Sequence, residues 1–524
     1  MTASALAVPR PAYNPHAGKW LVAIGVTLGS VIELIDTSIV NVALTHISAN
    51  LGVSVEEVTW VSVGYILAAV IILPMTGWLA AYFGRKRYFT ISIIIFTIAS
   101  VFCGAAGSLT SLVFWRIIQG LGGGALISTA QAILFDAFPI EERTLASAIF
   151  GIGMMVGPAI GPTLGGLIVD RFQWPWIFYI NVPVGIIATV VVAAYVKDPP
   201  DHGRPGKVDY FGLILLAMGI GSLQFVLERG QHYDWFDSPM IFGLLVLAVV
   251  AIGTMIWWEL RVKDPILDLR VLKDRSLLTG SMFGAVLGMG LYGSTFALPL
   301  LAQGLMRFDA ETTGIIMFPG AVGSALSMMM IAKIGNRVDG RWLIALGAMI
   351  LSYSMFGHSH FTLETSRAQM LWPVALRGVG IGLMFVPLTA SALARLSGRK
   401  LGQGAAIFNL SRQLGGSIGI AALATLLVRF TATYRAVLSE HITLYDPAVQ
   451  ARIAAGTKAF MATSPDSVTA THRAIEAVSR TLDAQASLLA YEQIFRIVGV
   501  IFLLSMPLIL FLERPRGKGP VDVH

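Results

Sequence analysis

Residues 148–166 read AIFGIGMMVGPAIGPTLGG. Gly153, Gly157, Gly161 and Gly165 recur every four residues, Gly166 follows the last of them, and Pro158 and Pro162 each follow a glycine. On a helix this spacing makes a stripe of small residues that drifts slowly round one face and lets a second backbone come close. The prolines remove backbone donors and bend the helix. With its apolar flanks the stretch runs from about 144 to 169, enough to cross a hydrocarbon core of about 20 residues. It is read either as an ordinary packing face or as a tight, kinked seam that resists leakage while the parts on either side move.

The pattern returns late in the chain. Ala148-Ile149-Phe150 recurs as Ala406-Ile407-Phe408, and Gly157 and Gly161 recur as Gly415 and Gly419 at the same offset. An arginine inside an apolar run with glycines close behind appears at Arg116–Gly124 and again at Arg377–Gly382. A turn of glycine and basic residues appears at Gly77–Arg87 and at Gly335–Arg341. These ordered echoes predict two six-helix halves, residues 1–196 and 276–524, separated by a segment 197–275 with two extra helices. Transporters built from such repeats hold their substrate between the repeats, near the bilayer midplane.

Composition points the same way. Of 524 residues 55% are hydrophobic and only 13% charged, about half the charge of a soluble domain. The long runs do not alternate with period two, so they are spanning helices rather than barrel strands. The chain therefore reads as an all-α membrane protein of fourteen spans. These lie near 20–43, 58–81, 88–107, 110–135, 144–169, 176–196, 209–227, 238–258, 277–301, 312–332, 342–358, 369–394, 403–428 and 492–512. With both termini cytoplasmic, the inner loops hold about 23 Lys and Arg against about four in the short outer loops, which fixes the orientation. Clusters of that kind between apolar runs are not the continuous basic face that nucleic acid requires. Cys103 is the single cysteine, so no intrachain disulfide forms. The first eighteen residues lack the order of a cleaved leader, and the first span is expected to serve as an uncleaved insertion signal.

At this point the residues resemble a known family. Gly77-Trp78-Leu79-Ala80-Ala81-Tyr82-Phe83-Gly84-Arg85-Lys86-Arg87 resembles the loop signature of the major facilitator superfamily, with Ala81 where that family usually has an aspartate. The basic end, Arg85 and Lys86, is intact, and the resemblance implies a gating loop built on Gly77 and Gly84. The glycine–proline stretch around Gly157 is similar to the fifth-helix signature of the superfamily's antiporters. Ile35-Asp36-Thr37-Ser38-Ile39-Val40-Asn41-Val42-Ala43-Leu44 resembles the first helix of the fourteen-helix drug/proton antiporters, the EmrB/QacA family. Trp176-Ile177-Phe178-Tyr179-Ile180-Asn181-Val182-Pro183 and Asn409-Leu410-Ser411-Arg412-Gln413-Leu414-Gly415-Gly416 fit the same family. The resemblance covers the whole chain and implies export of small hydrophobic compounds in exchange for protons, driven by the proton gradient with no cofactor or metal. Among family members the chain looks most like the EmrB-type permease subunit of tripartite pumps. That type works with a periplasmic adaptor and an outer-membrane channel, which implies a multi-pass protein of a Gram-negative inner membrane.

Carboxylates inside a span are costly and mark function by default. Glu33 and Asp36 lie three apart, which puts both on one side of the first helix. Counted from Trp20 they sit roughly 20 and 24 Å above the inner boundary, and Arg116 roughly 20 Å above it. An ion pair between the first and fourth spans is therefore geometrically reasonable. Burial favours a neutral carboxylate and a neighbouring cation favours a charged one, so opening and closing such a site moves a proton. On this reading Asp36 carries the exchanged proton, Arg116 biases its release, and Glu33 adds a second proton or holds a cationic drug. The competing reading of Asp36–Arg116 is a static ion pair that orients helices. No acid stands in the apolar body of the ninth span, so these carboxylates belong to one half only. Asn41, Tyr65, Gln119 and Arg412 are candidate cavity residues.

Residues 429–490 form a long outer loop in which Ile475, Val478, Leu482, Ala486 and Leu489 repeat at helical spacing. Such a helix extends the last span, docks a partner, or caps the outer vestibule. No G-x-x-x-x-G-K-[ST] loop supports an ATP-driven pump, and no H-E-x-x-H or comparable constellation supports a membrane enzyme. Within transport, a fatty acid, siderophore or metabolite exporter and a symporter compete with drug efflux.

Overall fold

The computed structural model describes residues 18–198, 208–334, 338–440, 442–443, 445–463 and 466–512, and every regular element among them is helical. In chain order these are α1 (Lys19–Leu51), α2 (Trp60–Phe83), α3 (Arg85–Gly104), α4 (Leu109–Ala137), α5 (Arg143–Arg171) and α6 (Trp176–Tyr195). The central pair is α7 (Tyr210–Arg229) and α8 (Pro239–Glu259). Then come α9 (Arg275–Leu305), α10 (Glu311–Ile334), α11 (Gly340–His358), α12 (Arg367–Leu393), α13 (Gly398–Glu440), α14 (Pro447–Phe460) and α15 (Ser467–Phe511). Prolines leave local marks: the backbone tightens to a 3-10 turn at Leu73–Met75, which contains Pro74, and widens to a π turn at Leu300–Leu305, after Pro299.

Twelve of these helices are long and apolar enough to cross a membrane, all but α5, α11 and α14. The expected fourteen is therefore not reached by that measure. The fifth and eleventh predicted spans do form α5 and α11, of 29 and 19 residues. The unbroken described stretch of α5, Arg143–Met155, is apolar but shorter than a span, while Arg341, the serines and a tyrosine dilute α11.

The packing pattern of the first six helices recurs among the last. In the first set α1 packs on α5 and α6, and α4 on α2 and α3; in the last, α9 packs on α13 and α15, and α12 on α10 and α11. The two sets meet where α5 touches α10 and α12 and where α13 touches α2 and α4, while α7 lies against α2 and α13.

The 429–490 segment is not a loop. α13 runs unbroken to Glu440, α14 packs on α15, and α15 begins at Ser467 and continues through the last span. Asp446 and Asp466 cap α14 and α15 by accepting from Ala448 N and Thr469 N, and these side-chain acceptors stand in for the carbonyls missing at a helix start. Those hydrogen bonds to Thr469 also hold the Asp466 carboxyl below its usual range. Arg435 Nε donates to Asp483 Oδ1 at 2.5 Å and ties α13 to α15. The periodicity at 475–489 is thus an extension of the last span.

Candidate functional site

Asp36 is completely buried, on the face of α1 turned into its own half. Its Oδ2 accepts from Arg116 Nη1 at 2.5 Å, and its Oδ1 accepts from Gln119 Nε2 at 3.0 Å and from Asn181 Nδ2 at 2.7 Å. Arg116 is as deeply placed: Nε donates to the Val61 carbonyl at 3.0 Å, Nη1 also donates to Gln119 Oε1 at 2.8 Å, and the guanidinium lies 4.2 Å from the Tyr65 ring centre. Ser100 Oγ accepts from Gln119 and Asn181 and donates to the Phe178 carbonyl. Groups from α1, α2, α3, α4 and α6 thus converge on one carboxylate. A charge buried this deeply persists only when paired and hydrogen-bonded, and here the carboxylate has three donors.

The structure brings Asp36, Arg116, Gln119 and Tyr65 together, with Glu33 beside them but outside their hydrogen bonds. Glu33 is half-buried, and its Oε2 has no hydrogen-bond partner. It interacts electrostatically with Arg412, from the other half, and with Asp36. Arg412 donates to Tyr292 Oη at 3.0 Å and to Asn409 Oδ1 at 3.2 Å, and Asn409 donates across the seam to Gln131 Oε1 at 2.8 Å. Asn41 is exposed and accepts from Ser62 of α2. Sequence reasoning missed Asn181 as a partner of Asp36, and Ser100, which accepts from the Gln119 and Asn181 amides beside it. A polar residue two positions before Pro183, in a run otherwise apolar, was the available signal for Asn181.

The glycine stripe of α5 seats α1. A Cβ on Gly153 would fall 2.2 Å from Thr27 Cγ2, and one on Gly161 would fall 2.3 Å from Ser38 Cβ. Contact loosens at Gly165, and Gly166 faces open space. The helix is continuous through Pro158 and Pro162, whose side chains lie outside the described residues. The second half repeats the device: Gly288 and Gly415 let α9 and α13 meet backbone to backbone.

At the end of the bundle that carries Arg85, Lys86 and Arg87 the halves are in contact. Gly77 lies against Gln403, where a Cβ would fall 2.9 Å from the Gln403 backbone. Arg85 pairs with Asp136 and donates to the Gly398 carbonyl. The acid paired with Arg85 thus comes from α4. Gly84 has φ +88°, a backbone open to glycine, and the space beside it is filled by Asp198, which accepts from Lys86 N at 2.9 Å. Arg143 Nη1 donates to the Ala394 carbonyl at 3.1 Å. The echoing turn at Gly335 and Arg337, the basic residues Arg204 and Lys207, and the basic tail fall outside the described residues.

Residues 26–420 match the model of the Major Facilitator Superfamily. The chain belongs to that family. It is a multi-pass membrane protein of a family of transporters. It is 32% identical to the multidrug export protein EmrB of Escherichia coli K12, over 97% of this chain and 98% of that one. It is 31% identical to the fatty acid resistance protein FarB of Neisseria gonorrhoeae, over 97% and 99%. Among solved structures the proton:xylose symporter XylE superposes with a TM-score of 0.60 at 12% identity, covering 96% of this chain and 98% of that one. The last comparison speaks for the fold alone.

Proposed function

We propose that this superfamily member exports hydrophobic or cationic drug-like compounds in exchange for protons by alternating access. Residues 1–196 and 276–524 rock about the seam as two halves, with fourteen crossings when α5 and α11 are counted. The observation that carries the reading is Asp36 with its three donors, a carboxylate held ready to change charge when the halves rearrange around it. The near full-length similarity to EmrB supports the cargo class, and that to FarB keeps fatty acids as a second cargo reading.

The loop charges place the basic end in the cytoplasm, so the contacts of Gly77, Arg85 and Arg143 close the cytoplasmic side. Drug enters when those contacts part; a proton taken up by Asp36 from outside weakens its hold on Arg116 and favours reopening inward. The hairpin of α13, α14 and α15 then projects outward from an inner membrane and suits contact with a periplasmic adaptor and, through it, an outer-membrane channel.

The test is acridine-dye quenching in everted vesicles on addition of a lipophilic cation, with wild type and Asp36→Asn side by side. Drug-driven proton release by wild type, absent from a folded Asp36→Asn, supports the reading. Equal responses would make Asp36 structural.

A further inference from the structure

The two halves differ at one matched position. The offset that carries Gly157 onto Gly415 and Gly161 onto Gly419 also carries Asp36 onto Ser294. The structure realises this correspondence: Arg116 Nη1 donates to Asp36 in the first half, and Arg377 Nη1 donates to Ser294 Oγ at 3.3 Å in the second. Ser294 Oγ donates its proton to the Gly290 carbonyl at 2.5 Å, and its lone pairs offer Arg377 a long, neutral contact and no charge. Arg377 is 6% exposed, its Nε is buried without a partner, and among the described residues no carboxylate pairs with it. A guanidinium remains charged at any physiological pH, and an unpaired one inside a membrane bundle is costly.

Arg377 also borders a cavity of about 40 Å³, large enough for a headgroup rather than a whole drug. Leu291 and Thr295 of α9, Met317 and Ser324 of α10 and Met155 of α5 line it, so it opens at the seam between the halves. Gly320 leaves room beside Nη2, from which a Cβ would stand 3.6 Å away.

We infer that Arg377 is the anchor for a carboxylate or similar monoanionic headgroup of an amphiphile, which takes the place that Asp36 occupies beside Arg116. The guanidinium fork accepts a planar anion through paired N–H donors, while the methionine and leucine lining receives the first methylenes of the tail. The anchor concerns binding; only its place in a transport cycle rests on the export reading.

The test measures saturable binding of radiolabelled dodecanoate to the purified full chain in nanodiscs, without a gradient, with dodecylamine as the competitor of equal chain length and opposite charge. Wild type is expected to bind dodecanoate, and dodecylamine is expected not to displace it. Arg377→Gln should weaken binding by about tenfold or more, and Arg377→Lys by much less. Ser294→Asp keeps the arginine but gives it an internal partner, and should weaken dodecanoate binding as much as Arg377→Gln. That variant separates loss of the site from loss of the fold, provided it elutes as a single species. Wild type without saturable binding, or Ser294→Asp binding as wild type does, overturns the assignment. Binding that depends on Arg377 in a chain that moves no drug would leave the anchor standing and defeat the export reading alone.

Discussion

Gly157 of α5 stands against Leu34 of α1 so closely that a Cβ built on it falls 2.4 Å from Leu34 Cβ and 2.9 Å from the Leu34 carbonyl carbon. Backbone cannot step aside as a side-chain tip can, so the two helices must part to admit a methyl group. Gly157→Ala should cost about 1–3 kcal/mol, seen as earlier thermal unfolding and reduced transport. Gly166→Ala meets nothing within 4 Å and should be neutral or slightly stabilising, since alanine is the better helix former. Equal sensitivity at the two positions would show that the stripe is not what seats α1.

Much of this site was legible in the sequence because depth along a helix can be counted. Asp36 and Arg116 come from different helices, yet counting residues from the membrane boundary puts them at one level, and they meet. Asn181 and Ser100 were not legible, because the contact of Asn181 with Asp36, and of Ser100 with the amides around it, depends on how α3 and α6 dock, over separations of up to 145 residues. Glu33 and Asp36 share a side of α1, and three residues along a helix turn side chains about 60° apart. That angle is enough to put one carboxylate into the half and the other beside the seam. The helical course of 429–440 was hidden because a helix that leaves the membrane becomes polar, and its composition then looks like that of a loop.

Removing one member of the buried pair should be worse than removing both. Arg116→Gln leaves the Asp36 carboxylate without its cation in a site where the pair is 1% and 0% exposed. Breaking a buried pair in this way costs about 3–5 kcal/mol. The double variant Asp36→Asn/Arg116→Gln replaces both charges with amides and should recover most of that loss. Thermal unfolding in detergent by tryptophan fluorescence checks this, and a double variant no more stable than Arg116→Gln would sink the idea.

The contact at the basic end has no room for a side chain on one side of it. A Cβ on Gly77 would lie 2.9 Å from the Gln403 backbone and 3.0 Å from the Gly402 carbonyl carbon, whereas one on Gly402 would meet nothing closer than Gly77 Cα at 3.6 Å. Gly77→Ala should therefore hold this end apart and reduce transport several-fold, and Gly402→Ala should transport near wild type. Dye efflux from cells expressing each variant at matched levels checks this. Equal transport by the two variants would mean that the cycle does not need this end to close.

Glu33 and Asp36 should fail in different ways. Asp36 is sealed within its half, whereas Glu33 keeps an unpartnered oxygen and interacts with the Arg412 cation across the seam. If Glu33 meets the cargo, Glu33→Gln should raise KM for a lipophilic cation by about tenfold, the cost of one charge-assisted contact. It should leave the KM for a neutral substrate and the drug-driven proton release near wild type at saturating drug. Asp36→Asn should instead abolish proton release at any drug concentration. Parallel measurement of dye efflux and acridine-dye quenching separates these outcomes. Loss of proton release in Glu33→Gln would move the exchanged proton, or part of it, onto Glu33 and leave Arg412 as the cation that controls it.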